Sequence, residues 1–161
     1  MNELYREQPA SEEGVINRLE YRPLEGFVYA ISPFNFTALA ANLPMAPVMM
    51  GNTVVWKPAT TSLLSSYYLM KIFMEAGVPA GVLNFVPGSG SDITSVLLGR
   101  QELAGIHFTG STEVFRDLWK GVSDNLSSYR SYPRLVGETG GKDFIFIHKS
   151  ADIKAAAAAI A

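Results

Sequence analysis

Phe27-Val28-Tyr29-Ala30-Ile31, held between Gly26 and Ser32-Pro33, is a short run of apolar, strand-forming residues with a turn signal at each end. A helix-like stretch follows over 37–50, which Pro44 and Pro47 must bend or interrupt. Thr53-Val54-Val55-Trp56-Lys57 repeats the β-branched pattern and stops at Pro58. Residues 60–76 then take the helical period, with Leu64, Tyr68 and Ile72 on one side, and end at Gly77-Val78-Pro79. The alternation continues with a strand over 82–86, a short helix over 91–98, a strand at Gly105-Ile106-His107-Phe108 and a helix from Thr112 to about Val122. Arg134-Leu135-Val136 and Phe144-Ile145-Phe146-Ile147 are two more predicted strands, and a last helix opens at Asp152. Repeated strand–helix units with apolar strands predict an α/β fold: a Rossmann-like, mainly parallel sheet with helices on both faces.

The first 25 residues are polar and lack such a period, so they form a lead-in segment, and 26–161 carry the domain. A chain of 161 residues, 48% hydrophobic and 17% charged, supports one globular core. A net charge of -2 argues against a nucleic-acid partner. No secretory signal opens the chain, and Asn42, Pro44, Pro47 and Gly51 break its most apolar stretch, so neither export nor a membrane span is expected; a cytoplasmic protein is the default. With no cysteine there is no disulfide and no thiol nucleophile. His107 and His148 sit in apolar runs and suit packing better than ligation, so no metal is expected. The final run from Asp152 meets no stop signal while apolar residues still accumulate, which suggests a truncated domain.

In an open parallel sheet, ligands bind beyond the carboxyl ends of the strands. That rule selects the loops at 32–37, 57–60, 87–91, 109–112 and 137–142. In Pro87-Gly88-Ser89-Gly90-Ser91 the glycines permit close approach of a phosphate, but Thr94 stands where a third glycine would complete the dinucleotide fingerprint, and an ordinary turn explains them. Phe108-Thr109-Gly110-Ser111-Thr112-Glu113-Val114 leads a strand into a helix start, where free N–H groups with Ser111 or Thr112 could hold a pyrophosphate; a plain N-cap accounts for it equally. Gly137-Glu138-Thr139-Gly140-Gly141-Lys142 exposes one carboxylate among small residues, either a candidate base or an acidic turn. The Asn35 amide either donates to a developing oxyanion or shapes a turn.

Together, Ser-Pro-Phe-Asn-Phe (32–36), Gly-Asn-Thr-Val-Val-Trp-Lys-Pro (51–58), Phe-Thr-Gly-Ser-Thr-Glu (108–113) and Gly-Glu-Thr-Gly-Gly-Lys (137–142) resemble, in order and spacing, the aldehyde dehydrogenase superfamily. The resemblance covers nearly everything from Phe27 to Ile153. Phe34, where many relatives carry Trp, with Pro-Arg-Leu-Val-Gly-Glu (133–138) and Lys-Asp-Phe-Ile-Phe-Ile-His-Lys-Ser-Ala-Asp (142–152), resembles the subfamily of 1-pyrroline-5-carboxylate dehydrogenases.

The resemblance implies that Asn35 shares an oxyanion hole with a backbone N–H, and that Glu138 activates the water that hydrolyses a thioester. It gives Lys57 the adenosine ribose of NAD, and lines the cofactor's path with Ser32, Pro33 and Phe34. Gly110, Ser111, Thr112, Glu113 and Val114 would seat the pyrophosphate, with Phe108, Thr139 and Gly140 near the nicotinamide. Thr60 stands where many relatives carry an acid that holds the ribose and repels a 2′-phosphate, which weakens the case for NAD over NADP; the subfamily resemblance still implies NAD. The attacking cysteine of this family lies beyond Ala161, as do the substrate anchor and oligomerising strands. The implied parent is a homo-oligomer that oxidises L-glutamate γ-semialdehyde to glutamate through a hemithioacetal, in proline degradation. Another semialdehyde dehydrogenase and a non-catalytic nucleotide-binding module are the alternatives.

Overall fold

Strand β1 (Phe27–Ile31) forms the middle of the sheet, and the sequence around it explains why. Its side chains alternate between two apolar environments: Val28 and Ala30 join one core cluster, while Tyr29 joins another across the sheet. A strand with no polar face can be stable only when covered on both sides. Gly26, with φ 135°, opens it; a Cβ there would fall 2.0 Å from the Glu102 carbonyl that accepts the Phe27 N–H, so only glycine fits.

The computed structural model describes residues 2–141 and 144–160. The remaining strands are β2 (Thr53–Lys57), β3 (Leu83–Phe85), β4 (Leu103–Thr109) and β5 (Arg134–Glu138). They make a five-stranded sheet in the order β3-β2-β1-β4-β5 with every neighbouring pair parallel. The helices are α1 (Asn2–Arg6), α2 (Thr37–Met49), α3 (Leu63–Glu75), α4 (Gly90–Leu98), α5 (Thr112–Asp124) and α6 (Ile153–Ile160). Residues of α2 and α3, including Ala40, Met45, Leu69 and Phe73, pack with Val54 and Trp56 on one face. On the other face Ile93 and Leu97 of α4, with Leu118 and Val122 of α5, pack with Tyr29, Ile106 and Phe108. Burying each large apolar side chain of these layers contributes roughly 1.5–3 kcal/mol. The expected doubly covered parallel sheet is present. Asp152 caps the final helix, its Oδ1 accepting from Lys154 and Ala155.

Two expectations change, and the structure settles which side of α3 is buried. Helix α2 runs unbroken through Pro44 and Pro47. Pro47 has no N–H for the Leu43 carbonyl four residues back, and His107 Nδ1 on β4 donates to that carbonyl instead, at 3.0 Å. The Pro47 carbonyl accepts from Asn52 through both its backbone N–H and its side-chain amide, and Asn52 Oδ1 accepts from the Leu24 N–H. The lead-in segment, otherwise exposed and irregular beyond α1, is thereby tied to the domain.

On α3 the side that carries Leu64, Tyr68 and Ile72 is exposed, whereas Leu69, Met70 and Phe73 meet the sheet around a buried Ser66. The helix is apolar nearly all round, so periodicity alone could not select its buried side. Lastly, Phe144-Ile145-Phe146-Ile147 is not a strand. It pairs with no edge, and Phe144 and Phe146 are 85% and 84% exposed. Strand propensity needs a partner ladder to act on, and this segment has none. Lys142 and Asp143, which join the last two motifs, lie outside the described residues.

Replacing His107 by Ala should cost about 1–3 kcal/mol by orphaning the Leu43 carbonyl. The loss reads as a lower urea midpoint at unchanged slope. Adding Pro47→Ala, which restores an in-helix donor, should recover part of it. A midpoint unaffected by His107→Ala contradicts this account of α2.

Candidate functional site

From β1 the chain winds outward to β2 and β3, then returns to place β4 and β5 on the other side. The winding reverses between β1 and β4, whose ends meet at Ile31 and Phe108. The loops leaving those ends diverge and leave a crevice. The crevice holds a cavity of about 430 Å³ lined by Ser32, Pro33, Phe34 and Asn35 after β1, by Phe108, Thr109, Gly110 and Ser111 after β4, and by Thr139 and Gly140 after β5. Val114 in the first turn of α5 also lines it.

A second cavity, of about 530 Å³, lies between α4 and α5 and shares Val114 with the first. Lys57 from β2 reaches it, and so do Tyr29, Gly90, Ser91, Thr94, Ser95, Leu98 and Asp117. The start of α5 therefore stands where the cavities adjoin.

Local hydrogen bonds decide what each side chain is free to do. Ser32 is buried and its Oγ accepts from the Trp56 indole N–H at 2.9 Å, which pins the turn after β1 to β2. Ser111 is the N-cap of α5, its Oγ accepting from the Val114 N–H at 3.2 Å. Its carbonyl takes the Phe115 N–H, leaving those of Thr112 and Glu113 as first-turn donors. Glu138 is exposed, with Oε2 accepting from the Thr109 hydroxyl at 3.1 Å and its carbonyl accepting from the Gly110 N–H.

Two glycines keep this corner tight. A Cβ on Gly110 would meet the Phe108 ring at 2.6 Å, and one on Gly137 would meet Phe115 at 2.3 Å. Phe108 and Phe115 stack with centroids 5.6 Å apart, which sets β4 against α5.

Lys57 is half-buried, and burial lowers its pKa from the ordinary lysine value. Its Nζ would lie 3.6 Å from a Cβ on Gly90, so the amine rests against the start of α4. At the floor of the same cavity the Tyr29 and Thr94 hydroxyls share a hydrogen bond of 3.0 Å, and burial raises the Tyr29 pKa.

Among the expected site residues, Ser32, Pro33, Phe34, Asn35, Phe108, Gly110, Ser111, Val114, Thr139 and Gly140 come together in the first cavity. Lys57 lines the second. Thr112, Glu113 and Glu138 line neither; Glu138 stands beside the first cavity, bonded to Thr109 and next in the chain to Thr139, both of which line it. Tyr29, Thr94 and Asp117 were not foreseen as lining residues; the 87–91 turn, one of the selected loops, contributes Gly90 and Ser91 to Lys57's cavity. A tyrosine inside an apolar strand was the available signal, because its hydroxyl must find a partner. Among the described residues no group of His, Asp and Glu converges as a metal site. Among the described residues no helix is long and apolar enough to cross a membrane.

A donor-bearing helix start between two cavities, a cation in one and an exposed carboxylate beside the other, suits a long ligand with an anionic middle. Comparisons with known proteins agree with that shape. The chain is 56% identical over 158 residues to the Schizosaccharomyces pombe protein named "Probable delta-1-pyrroline-5-carboxylate dehydrogenase", covering 96% of this chain and 29% of that one. It is 55% identical to the mitochondrial delta-1-pyrroline-5-carboxylate dehydrogenase of Emericella nidulans, over 96% of this chain and 28% of that one.

Among solved structures, the Mycobacterium tuberculosis delta-pyrroline-5-carboxylate dehydrogenase bound with NAD superposes with a TM-score of 0.89 at 54% identity, over 98% of this chain and 29% of that one. The chain thus spans about 29% of the length of the relatives it matches. The default of a cytoplasmic protein is overturned: the Emericella relative is named mitochondrial, as are others that match. The family model described as "Aldehyde dehydrogenase family" matches residues 1–161, and the chain belongs to that family.

Proposed function

We propose that this chain is the NAD-binding part of an enzyme that oxidises L-glutamate γ-semialdehyde to glutamate in proline degradation. The observation that carries the proposal is the pair of adjoining cavities at the switch point, with the start of α5 between them. NAD fits this chain's residues in three ways. The N–H groups of Thr112 and Glu113, which no backbone bond among the described residues takes up, suit a pyrophosphate. The cavity of Asn35, Thr139 and Gly140 suits the nicotinamide half, because Thr109, which lines it, holds the Glu138 carboxylate at its edge. The cavity of Lys57 then takes the adenosine half. The relative of known structure named as bound with NAD supports the same assignment.

Each residue's part follows from what its hydrogen bonds leave free. Lys57 donates to the ribose oxygens. Ser32 acts through its backbone, since its hydroxyl is held by Trp56, and it positions Pro33, Phe34 and Asn35. Asn35 donates its amide N–H to the oxyanion that develops on the aldehyde carbon. Ser111 orders the first turn as a cap, so the N–H groups rather than its hydroxyl hold the anion. Phe108, packed on Phe115, walls the nicotinamide end. Glu138, held by the Thr109 hydroxyl, takes a proton from the hydrolytic water. NAD, when bound, supplies the hydride acceptor.

The 161 residues contain no cysteine, so the attacking thiol of this family would come from the rest of a longer protein. The exposed apolar surfaces at Leu64, Tyr68 and Ile72 and at 144–147 support a larger, homo-oligomeric assembly in which they are covered.

Mixing this chain with NAD and L-glutamate γ-semialdehyde should give no NADH absorbance, and a steady rise would contradict the assigned roles. By calorimetry NAD should bind, and Lys57→Met should weaken it about tenfold, the scale of one lost charge-assisted hydrogen bond. Because burial lowers the Lys57 pKa, its ammonium loses the proton at lower pH than a free lysine. Affinity for the anionic dinucleotide should therefore fall as pH rises toward that value, and Lys57→Met should be flat over the same range. A parallel pH profile in both proteins removes Lys57 from the site.

A further inference from the structure

We infer that Asp117 makes the second cavity selective for adenine by accepting a hydrogen bond from the 6-amino group of the base, an inference that rests on the dinucleotide assignment above. The start of α5 faces the anionic middle of the ligand, so distance along this helix measures distance from the pyrophosphate. Asp117 stands three residues beyond Val114, on the same helix face and about 4.5 Å further along the axis. It therefore lies toward the far edge of a base seated between α4 and α5.

The chemistry of the walls points the same way. Lys57 is the cation and Asp117 the carboxylate among the lining residues, and no ion pair among the described residues joins them. The Thr94 hydroxyl is engaged with Tyr29, and the Ser95 hydroxyl donates to the Asp92 carbonyl. Among the described residues, the Asp117 carboxylate has no hydrogen-bond partner in the protein.

A donor at one end, apolar walls along the middle and an unpaired acceptor at the other match an adenosine: ribose oxygens, a flat ring, an exocyclic amine. An ionised carboxylate only accepts hydrogen bonds. A base with a carbonyl oxygen at position 6 would set two acceptors against each other there, a mismatch that rejects ligands strongly.

The test compares NAD with nicotinamide hypoxanthine dinucleotide, whose base carries a carbonyl oxygen at position 6 and a proton on N1 in place of the amine, by calorimetry on the full chain. The unaltered protein should prefer NAD by about tenfold, the value of one charge-assisted hydrogen bond. Asp117→Ala should bring the two to near equality, chiefly by weakening NAD. Asp117→Asn, whose amide can also donate, should improve binding of the hypoxanthine dinucleotide relative to Asp117→Ala. Asp117 is an exposed helix position, and matching melting curves confirm that the variants fold. Equal affinities in the unaltered protein, or a preference that survives Asp117→Ala, overturns the role of Asp117 while leaving NAD binding intact. Failure of both dinucleotides to bind overturns the dinucleotide assignment and this inference with it.

Discussion

A strand paired on both edges and covered on both faces governs this molecule. β1 has β2 on one side and β4 on the other, with α2 and α3 below it and α4 and α5 above. Because every pairing is parallel, the chain must cross back over the sheet after each strand. All the loops that follow strands therefore collect at one end. Reversal of the winding beside β1 opens those loops into a crevice, and the chemistry-bearing residues fall there as a consequence of connectivity. Ser32, the first residue after β1, is held by an indole from β2, so the pairing of the sheet reaches directly into the first turn of the site.

Much of this was legible because parallel strands leave a strong mark. Phe27–Ile31, and Val54, Val55 and Trp56 within β2, are apolar on successive residues, which fits a strand covered twice. The loops were legible through their turn chemistry, in Ser32-Pro33, Gly110-Ser111 and Thr139-Gly140. What escaped depends on partners distant in sequence. The continuity of α2 rests on His107, 64 residues from the carbonyl it serves. The buried side of α3 was hidden by apolar residues all round it, and the strand expected at 144–147 found no edge to join. The second cavity was hardest to foresee, since its walls are assembled from two strands and the facing sides of two helices, and Tyr29, Thr94 and Asp117 among them belong to no motif.

Structural and binding uses of polar groups divide cleanly across the site. Ser32 and Ser111 have hydroxyls in the right region, yet both are spent on the protein's own architecture. On the proposed reading, backbone N–H groups, the Asn35 amide, the Lys57 amine and the Asp117 and Glu138 carboxylates meet the ligand. Binding by backbone donors at a capped helix start demands rigidity more than side-chain identity, and the close packing of Gly110 on Phe108 and of Gly137 on Phe115 supplies it.

The central claim is that one dinucleotide runs through both cavities past the start of α5. Backbone amide NMR during titration of the 161-residue chain with NAD tests this most directly. The account predicts saturable shifts at Gly110, Thr112 and Glu113, with further shifts on both sides, at Thr94 and Ser95 of α4 and at Thr139 and Gly140 after β5. Shifts confined to one cavity, or scattered over the exposed faces of α3 and α6, would contradict it.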